Sequence, residues 1–362
     1  MPPYKNQHYV PQHYLRPFAN SDDRLCAYNI ERETEFPPTP ISNLCSEDWF
    51  YGGAEQEKSI SPFEAECERI LQQLRDAQTL SVVSGEDYRN LLRFILFQRM
   101  RTKQEKEDMD KMLTDVAEEI AEMGVESGEI GEEALNLLRE DKLTVSHESM
   151  HPRMILSALL GPEYIADLRG VLLINGTDTG FITSDHPVIM DNPKFKRQRD
   201  RFLGGLQSPG LQIFCPISPN RVMFLYDSDH YQFTHGDNPA SLRVRRVETV
   251  KSINTLQVLN ALDNVLYTPS GRENEMKELH SNVKSQTRKR KLETEVHEEG
   301  NKISQSGNEV IEFGPYLPDY SPNIPFLEQT TKKWSDIERR QGVSDAINQR
   351  IESVISDAEN DG

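Results

Sequence analysis

The stretch GVLLINGTDTGFITSDHPV (Gly170–Val188) decides the fold class of this chain. It contains two apolar runs, Val171–Ile174 and Gly180–Thr183, separated by turn-forming residues. Short apolar runs bounded by Asn, Gly, Asp and Pro are typical of β-strands. Two further runs of this kind follow, at Leu211–Cys215 and Val222–Tyr226. We therefore predict a small sheet in this part of the chain.

Before this stretch, apolar residues recur at helical spacing instead. They predict helices over residues 62–78, 84–123, 132–141 and 152–169, and a last helix follows the strands at 246–262. Helices followed by strands, without regular alternation, favour an α+β fold over alternating α/β. The predicted architecture is a helical N-terminal half packed with a small mixed or antiparallel sheet, plus an extended C-terminal arm and a polar helix.

The charge is unevenly distributed along the 362 residues, whose formal net charge is −18. Residues 104–148 carry 15 acidic and 4 basic side chains, and residues 293–362 carry 15 acidic and 6 basic ones. The rest of the chain is about neutral. Nucleic-acid binding depends on clustered Lys and Arg, so acidity argues against it only where the acidic stretches lie near a site.

The sequence shows no signature of a membrane or secreted protein. It has no run of about 18 apolar residues, which a membrane helix requires, and no apolar core follows the polar first residues. The four cysteines are scattered and form no CxxC pair, which disfavours a zinc knuckle or a disulfide scaffold. We expect a reduced, cytoplasmic protein with no membrane partner.

Composition divides the chain into three predicted parts. Residues 1–280 form the main α+β domain, with a helical part (1–169) and a sheet part (170–280). Residues 281–309 are rich in charge and contain no aromatic residue, so we predict a disordered linker there. Residues 310–362 are predicted to form an extended arm and a polar helix, which is a candidate contact for a partner protein.

Candidate functional residues are dense in HYVPQHYLRPFA (His8–Ala19). Pro11 can begin a one-turn helix and Pro17 must end it. Apolar residues of the motif would anchor this turn and hold three polar side chains against an apolar surface, namely those of His8, Gln12 and Arg16. Such groups need partners. A functional site supplies them, and so does a structural plug that caps neighbouring carbonyls.

Polar residues also occupy inward positions on the main helices, where Glu66, Gln98 and Arg101 lie on or beside the apolar stripes. Inward charges are costly unless they meet each other or a ligand. A structural Glu66–Arg101 ion pair is therefore the alternative to a site. Asp185 directly follows a predicted strand, which is a common place for a general base or metal ligand. An Asx-type turn is its ordinary structural use.

One motif points to a zinc peptidase. HESMH (His147–His151) fits H-E-x-x-H, which on a helix presents two His to zinc and a Glu as base. Pro152 biases the second His away from helical geometry, so we favour a helix start with two surface histidines. The sequence contains no P-loop, dinucleotide-binding fingerprint or nucleophile elbow. P-loop NTPases, Rossmann enzymes and α/β-hydrolases are therefore disfavoured.

Taken in order, these motifs resemble an uncharacterised bacterial family, a domain of unknown function that opens with His-Tyr-Val-Pro-Gln-x-Tyr-Leu-Arg-x-Phe. The resemblance covers roughly residues 5–268 and includes DWFYG, FILFQRMRT, FITSDHPV with its Thr-Ser-Asp-x-Pro motif, FCPISP and the Asn254 helix. Family members often begin with two adjacent histidines, where this chain has Gln7-His8. The resemblance implies an origin among bacterial defence and mobile-element genes. It also implies one cluster of His8, Gln12, Arg16, Glu66, Gln98, Arg101 and Asp185.

Two classes of function follow from these residues. The first is a hydrolase, such as a nuclease, that acts on a phosphodiester or nucleotide, because two Arg beside a His and carboxylates suit phosphate oxygens. Its predicted catalytic residues are His8, Glu66, Gln98 and Asp185. Its predicted substrate-binding residues are Gln12, Arg16, Arg101 and Asn254. A divalent metal is compatible with this set, and the weak candidates for its ligands are His147 and His151. The second class is a non-catalytic sensor or partner-binding module, in which the cluster is a buried polar network.

Overall fold

The structure, a computed structural model, has the predicted α+β fold. It describes residues 5–51, 54–128, 131–140, 142–146, 150–193, 205–234, 239–287, 293–298, 309–314 and 320–330. No helix in these ranges combines the length and apolar character that a membrane crossing requires. The polar helix predicted after the arm lies outside them.

The described residues contain eight α-helices. These are α1 (Gln12–Leu15), α2 (Ala54–Asp76), α3 (Glu86–Met100), α4 (Lys103–Glu126), α5 (Glu132–Arg139), α6 (Met150–Leu160), α7 (Val247–Asn260) and α8 (Glu273–Thr287). The single helix predicted over 84–123 is therefore two helices. They separate because Thr102 adopts an extended conformation and its Oγ1 lies 2.6 Å from Nδ1 of His186.

The strands form two main sheets and three two-stranded pairs. They are β1 (Asn6–His8), β2 (Arg24–Asn29), β3 (Thr34–Pro40), β4 (Ser46–Asp48), β5 (Arg169–Asn175), β6 (Thr183–Ser184), β7 (Ile189–Asp191), β8 (Gln212–Ser218), β9 (Arg221–Tyr226), β10 (Tyr231–Phe233), β11 (Ser241–Val244), β12 (Asn264–Tyr267), β13 (Glu293–Glu298), β14 (Glu309–Gly314) and β15 (Leu327–Gln329). The five-stranded sheet has the order β11-β5-β9-β8-β7, and the four-stranded sheet has the order β3-β2-β12-β6. Only β11 runs parallel to its described neighbour, β5, so the larger sheet is mixed.

The five-stranded sheet is buried on both faces. Val171 and Leu173 belong to the apolar cluster that includes the first half of α7. Leu172 and Ile174 belong to the cluster that includes α2 and α3. Because side chains alternate along a strand, this arrangement explains why β5 is a continuous apolar run instead of an alternating one.

Four strands precede residue 170, in the part that the sequence predicts to be helical. β2 is the important one, since it pairs with β3 on one side and with β12 on the other. Residues 25–28 of β2 are all buried. β3 lies at the edge of its sheet and contains Pro37, Pro38 and Pro40. Prolines are tolerated at a sheet edge because the backbone N–H groups on the outer side of an edge strand need no partner strand. In the sequence, however, these prolines hide the strand pattern.

The first seven residues of the predicted linker 281–309 are helical. Residues 281–287 complete α8, and Val283 on this helix is buried, because its apolar side packs against α7 and β12. Within the described residues, β13 pairs with β14. The arm then packs on the body: Phe326 stacks on Phe233 at 5.7 Å, and β15 pairs with β10. Independent folding of residues 1–280 stays a prediction.

Candidate functional site

The N-terminal motif folds into a short strand and a one-turn helix, as its prolines predict. β1 pairs with β4, and Pro11 precedes the first residue of α1. Tyr14, Leu15 and Phe18 are fully buried. The hydroxyl of Tyr14 donates to the carbonyl of Pro216. The motif is therefore attached to the five-stranded sheet, and its polar side chains are held beside α2 and α3.

Arg101, at the end of α3, is bound by the protein at every nitrogen of its guanidinium. Nη1 donates to Oε1 of Glu64 at 2.5 Å, Nη2 to the carbonyl of His8 at 2.6 Å, and Nε to the hydroxyl of Tyr51 at 2.8 Å. The guanidinium also lies 4.5 Å from the ring centre of Phe97. Burial alone would lower the pKa of Arg101, but Tyr51 and Glu64 raise it above its usual value. This arginine supports the fold, and the carboxylate of Glu64 already balances its positive charge.

The partner of Arg101 is Glu64, which corrects the predicted pairing with Glu66. Two positions along a helix correspond to about 200° of rotation, so Glu66 points elsewhere. Its carboxylate accepts from Arg69 at 2.6 and 3.1 Å, and Arg69 also binds Asp87 at 2.5 Å. The hydrogen bonds from Arg69 lower the pKa of Glu66. Glu66 therefore belongs to a surface ion network and does not join the Arg101 group.

Three other predicted residues lie around the same N-terminal segment as Arg101. Nε2 of Gln12 is 3.5 Å from Nε2 of His8, and burial lowers the pKa of His8. Gln98 is fully buried and donates to the carbonyl of Tyr9 at 3.0 Å. Among the described residues, Oε1 of Gln98 has no hydrogen-bond partner. The structure thus brings His8, Gln12, Gln98 and Arg101 together, and a catalytic role for any of them stays a prediction.

Asp185 anchors the connection that follows α7. Burial raises the pKa of Tyr9 in the N-terminal motif and of nearby Cys45, and the charge of Asp185 adds to both rises. It is 3% exposed and accepts the backbone N–H groups of Leu262 at 2.8 Å and of Asp263 and Asn264 at 2.7 Å. Burial raises the pKa of Asp185 to about 6, and the three N–H groups oppose this rise. These bonds fix the connection between α7 and β12. In the described chain, none of the hydrogen bonds of Asp185 reaches Arg101.

Three amide side chains on α7 hold the backbone of residues 180–188, namely those of Asn254, Gln257 and Asn260. Asn254 accepts from one N–H and donates to one carbonyl, both at 3.1 Å. Gln257 donates to a carbonyl at 2.6 Å and accepts from Ser184 at 2.8 Å. Asn260 donates to two carbonyls. Both polar atoms of the Asn254 amide are therefore used by the protein, although the sequence predicts that it binds substrate.

Sequence reasoning missed a buried polar group around His186, at the junction of α3 and α4. His186 is 2% exposed, with Nδ1 bound to Thr102 and Nε2 in contact with Nη1 of Arg99. Arg99 also pairs with Glu105 at 2.8 Å. Since Arg99 can only donate, Nε2 of His186 is the acceptor in this contact. Burial and Glu105 raise the pKa of nearby Asp108 to about 7. The available signal in the sequence was that His186 directly follows the candidate residue Asp185.

A pocket of about 410 Å³ lies beside the N-terminal motif, between α1, α2 and the turn that joins β8 to β9. We call it the arginine pocket, because its charged lining residues are Arg16, Arg75, Arg221 and Glu68, with His13 beside them. Three guanidinium groups therefore face one carboxylate, in a chain whose net charge is −18. The volume is within the usual range for small-molecule sites. Of the predicted site residues, Arg16 lines this pocket.

Two arginines of the pocket are fixed by backbone carbonyls. Arg75 donates to the carbonyl of Ile217 at 2.9 Å and to that of His13 at 3.3 Å. Arg221 donates to the carbonyl of Ala77 at 3.2 and 3.1 Å and to that of Asn220 at 3.0 Å. Burial lowers the pKa of Arg75 to about 10, so the side chain is still charged at pH 7. Carbonyl oxygens orient these two guanidinium groups but leave their positive charge in place. A bound anion would neutralise that charge.

The other polar groups of the pocket are less constrained. Arg16 is half exposed, and its guanidinium is 3.6 Å from a carboxylate oxygen of Asp23 and 4.0 Å from one of Glu68. These distances exceed a good hydrogen bond. Nε2 of His13 is buried and has no hydrogen-bond partner within the described ranges. Burial lowers the pKa of His13 to about 4, so its ring is neutral at pH 7.

The predicted zinc motif gains no support from the residues that are described. His147 lies outside them. His151 is 4% exposed, and its Nε2 is 3.1 Å from the carbonyl of Met100, so the expectation of a surface histidine is wrong at this position. It is buried because α6 packs on α3. The described chain holds no group of three or more His, Cys, Asp or Glu side chains that is arranged to bind a metal ion.

Fold and site together define an α+β protein with a buried polar network and an arginine-lined pocket. Residues 6–271 match the family described as "Protein of unknown function (DUF4238)", and the chain belongs to this family. The match covers nearly the same residues as the resemblance noted from the motifs. No curated protein and no solved structure matched the chain.

Proposed function

We propose that this protein is a sensor or binding module that takes a phosphate-bearing small molecule, such as a nucleotide, in the arginine pocket. The observation that carries the proposal is the convergence of Arg16, Arg75 and Arg221 on one pocket with a single carboxylate, that of Glu68. The planar guanidinium matches phosphate oxygens in shape and charge. A volume of about 410 Å³ is within the range of small-molecule sites, so we expect the pocket to take a mononucleotide.

The three arginines divide the work of binding. Arg75 and Arg221 are preorganised by their carbonyl bonds, so little side-chain entropy is lost when an anion arrives. Arg16 is half exposed and only loosely paired, so it can close onto the ligand. Glu68 lowers the net positive charge of the pocket, and its carboxylate can accept a hydrogen bond from a ribose hydroxyl or from a base.

The test is calorimetric titration of the full chain with AMP, ADP, ATP and a single-stranded oligonucleotide. Arg16→Ala should weaken nucleotide binding at least tenfold, because a hydrogen bond to a charged group contributes about 1.5–3 kcal/mol. Arg89→Ala is the matched control, since Arg89 is exposed on α3 and outside the pocket. Equal affinities of the two variants, or tighter binding of the oligonucleotide than of every nucleotide, would contradict the proposal.

Hydrolysis of the bound nucleotide or phosphodiester is the second candidate function. It is favoured by Glu68 and His13, which adjoin the arginines and are able to accept a proton. A bound anion would raise the pKa of His13 from about 4, so a larger fraction of this residue would carry a proton to donate. Here Glu68 would act as general base toward water, and a divalent metal would enter with the nucleotide.

A hydrolysis assay tests this second function. The protein is incubated with nucleotides or oligonucleotides, with and without Mg²⁺, and the products are measured by ion-exchange chromatography. Glu68→Gln should lower the rate roughly 100-fold or more while binding persists. If the wild type binds a nucleotide and never converts it, the sensor function stands and the hydrolase function is refuted. A nuclease role through His8, Gln98 and Asp185, and a role in defence, stay predictions.

A further inference from the structure

A second surface stands out on α4, the long helix that follows Arg101. Five apolar residues on it are spaced alternately by four and three positions, namely Met109, Leu113, Val116, Ile120 and Met123. This is the spacing of the two apolar positions in a heptad repeat, which place side chains in one line along a helix for contact with a second helix. We refer to these five residues as the apolar seam.

The apolar seam takes no part in the hydrophobic clusters of the described chain. α4 packs on α5 through a different face, in which Ala117, Ala121 and Val125 meet Leu135 and Leu138. None of the five seam residues belongs to that cluster or packs against the three larger ones. Ile120 is 55% exposed and Met123 is 56% exposed. Two adjacent large apolar side chains with this exposure indicate a contact surface.

Charge indicates what kind of helix fits this seam. Residues 103–126 carry nine acidic and three basic side chains, and all three basic ones lie in the first half of α4. Asp110 and Glu119 occupy heptad positions that flank the seam. On the α5 side, Arg139 is already paired with Glu118 and Glu122. The surroundings of Ile120 and Met123 are therefore strongly acidic.

We propose that the apolar seam of α4 binds a basic amphipathic helix of a partner protein. The apolar face of that helix would cover Ile120 and Met123, and its Lys or Arg residues would meet the acidic flanks. Such complementarity raises association rates and excludes wrong partners, and methionine side chains adapt to different apolar surfaces. A second copy of this chain fits less well, because pairing two α4 helices would place acidic flanks against each other.

The probe is a synthetic 21-residue helix with Leu at both apolar heptad positions and Lys at the flanking ones. Its fluorescence anisotropy is titrated with the full chain, and a peptide with Glu in place of Lys is the charge control. The double variant Ile120→Gln/Met123→Gln should lose at least tenfold in affinity for the Lys peptide. Leu156→Gln is the matched control, since Leu156 on α6 is also 56% exposed. It should bind as the wild type does.

Each other outcome overturns the proposal. Equal affinities of the Lys and Glu peptides would show that the acidic flanks of the seam do not select a basic helix. Unchanged affinity of the double variant would show that the peptide binds elsewhere. A dimer of the full chain in sedimentation, lost in the double variant, would identify a second copy as the occupant. Tighter peptide binding after Ile347→Gln/Ile351→Gln in the full chain would identify its own C-terminal segment as the occupant.

Discussion

Replacing Arg101 by Met separates a structural role of this residue from a role in substrate binding. The side chain of Met is close in length, and it removes the charge and all three hydrogen bonds to Glu64, Tyr51 and the carbonyl of His8. Those bonds join α2, α3 and the N-terminal motif. We expect a large loss of stability, because Arg101 is 1% exposed and its partners would be left without a donor.

The magnitude follows from the environment of each partner. Removing one member of a buried ion pair costs roughly 3–5 kcal/mol, and the carboxylate of Glu64 recovers part of this through water, since its side chain is 20% exposed. The carbonyl of His8 and the hydroxyl of Tyr51 lose one bond each, at about 1 kcal/mol per bond. We expect Arg101→Met to lower the free energy of unfolding by about 4 kcal/mol. Glu64→Gln, which keeps a hydrogen-bond acceptor, should cost about half as much.

Urea unfolding followed by circular dichroism measures these changes at 25 °C. Arg69→Met is the matched control, because Arg69 is exposed and should change stability by less than about 1 kcal/mol. A cost below about 1.5 kcal/mol for Arg101→Met would refute the structural role. If that variant were stable and had lost nucleotide binding, the substrate-binding role predicted from the sequence would be right.

Three further predictions concern other parts of the fold. Burial raises the pKa of Asp185 in the folded state to about 6, above an unfolded value near ~3.9. The contribution of Asp185 to stability is therefore present below pH 4 and is lost as the pH rises to 6. The difference in unfolding free energy between the wild type and Asp185→Asn should fall across this interval. A difference that stays constant with pH would contradict this prediction. Asn254→Ala should cost about 1–3 kcal/mol, because a backbone N–H and a carbonyl lose their partner, and an unchanged urea midpoint would contradict it. Phe326→Ala should cost about 1–3 kcal/mol, since the ring stacks on Phe233 and is only partly buried; a thermal melt that does not shift would show that the arm is not part of the core.

The parts of the fold that depend on local pattern could be predicted from the sequence. The apolar run of β5 and the strands β8 and β9 are continuous enough to show that both faces of the sheet are buried. The α+β class follows from their position after the helices. β2 and β3 were not predicted in this way, and β3 contains three prolines that hide its strand pattern. β2 is held by pairing with β12, more than 200 positions later in the chain, and β3 is held by pairing with β2.

The candidate site was predictable only in part, for a related reason. The polar density of the N-terminal motif drew attention to the place where His8, Gln12 and Arg101 lie close together. Whether Glu64 or Glu66 pairs with Arg101 depends on how α2 is rotated about its axis relative to α3. The apolar stripe in the sequence is too wide to fix this rotation. Arg75 and Arg221 gave no signal, because an arginine near the end of a helix or strand is common. Only the tertiary fold places them beside Arg16.

The long-range bonds of the N-terminal motif have a consequence for synthesis of the protein. Arg101 follows His8 by 93 positions, and Pro216 follows Tyr14 by 202. β2 must also wait for β12, which lies 235 positions beyond it at the Asn29–Asn264 contact. At about 5–20 residues per second, this interval lasts roughly 12–50 s. During that time the earliest apolar residues of the chain have no completed core, so a translation product that stops before β12 should be a substrate for chaperones and proteases and not a smaller folded protein.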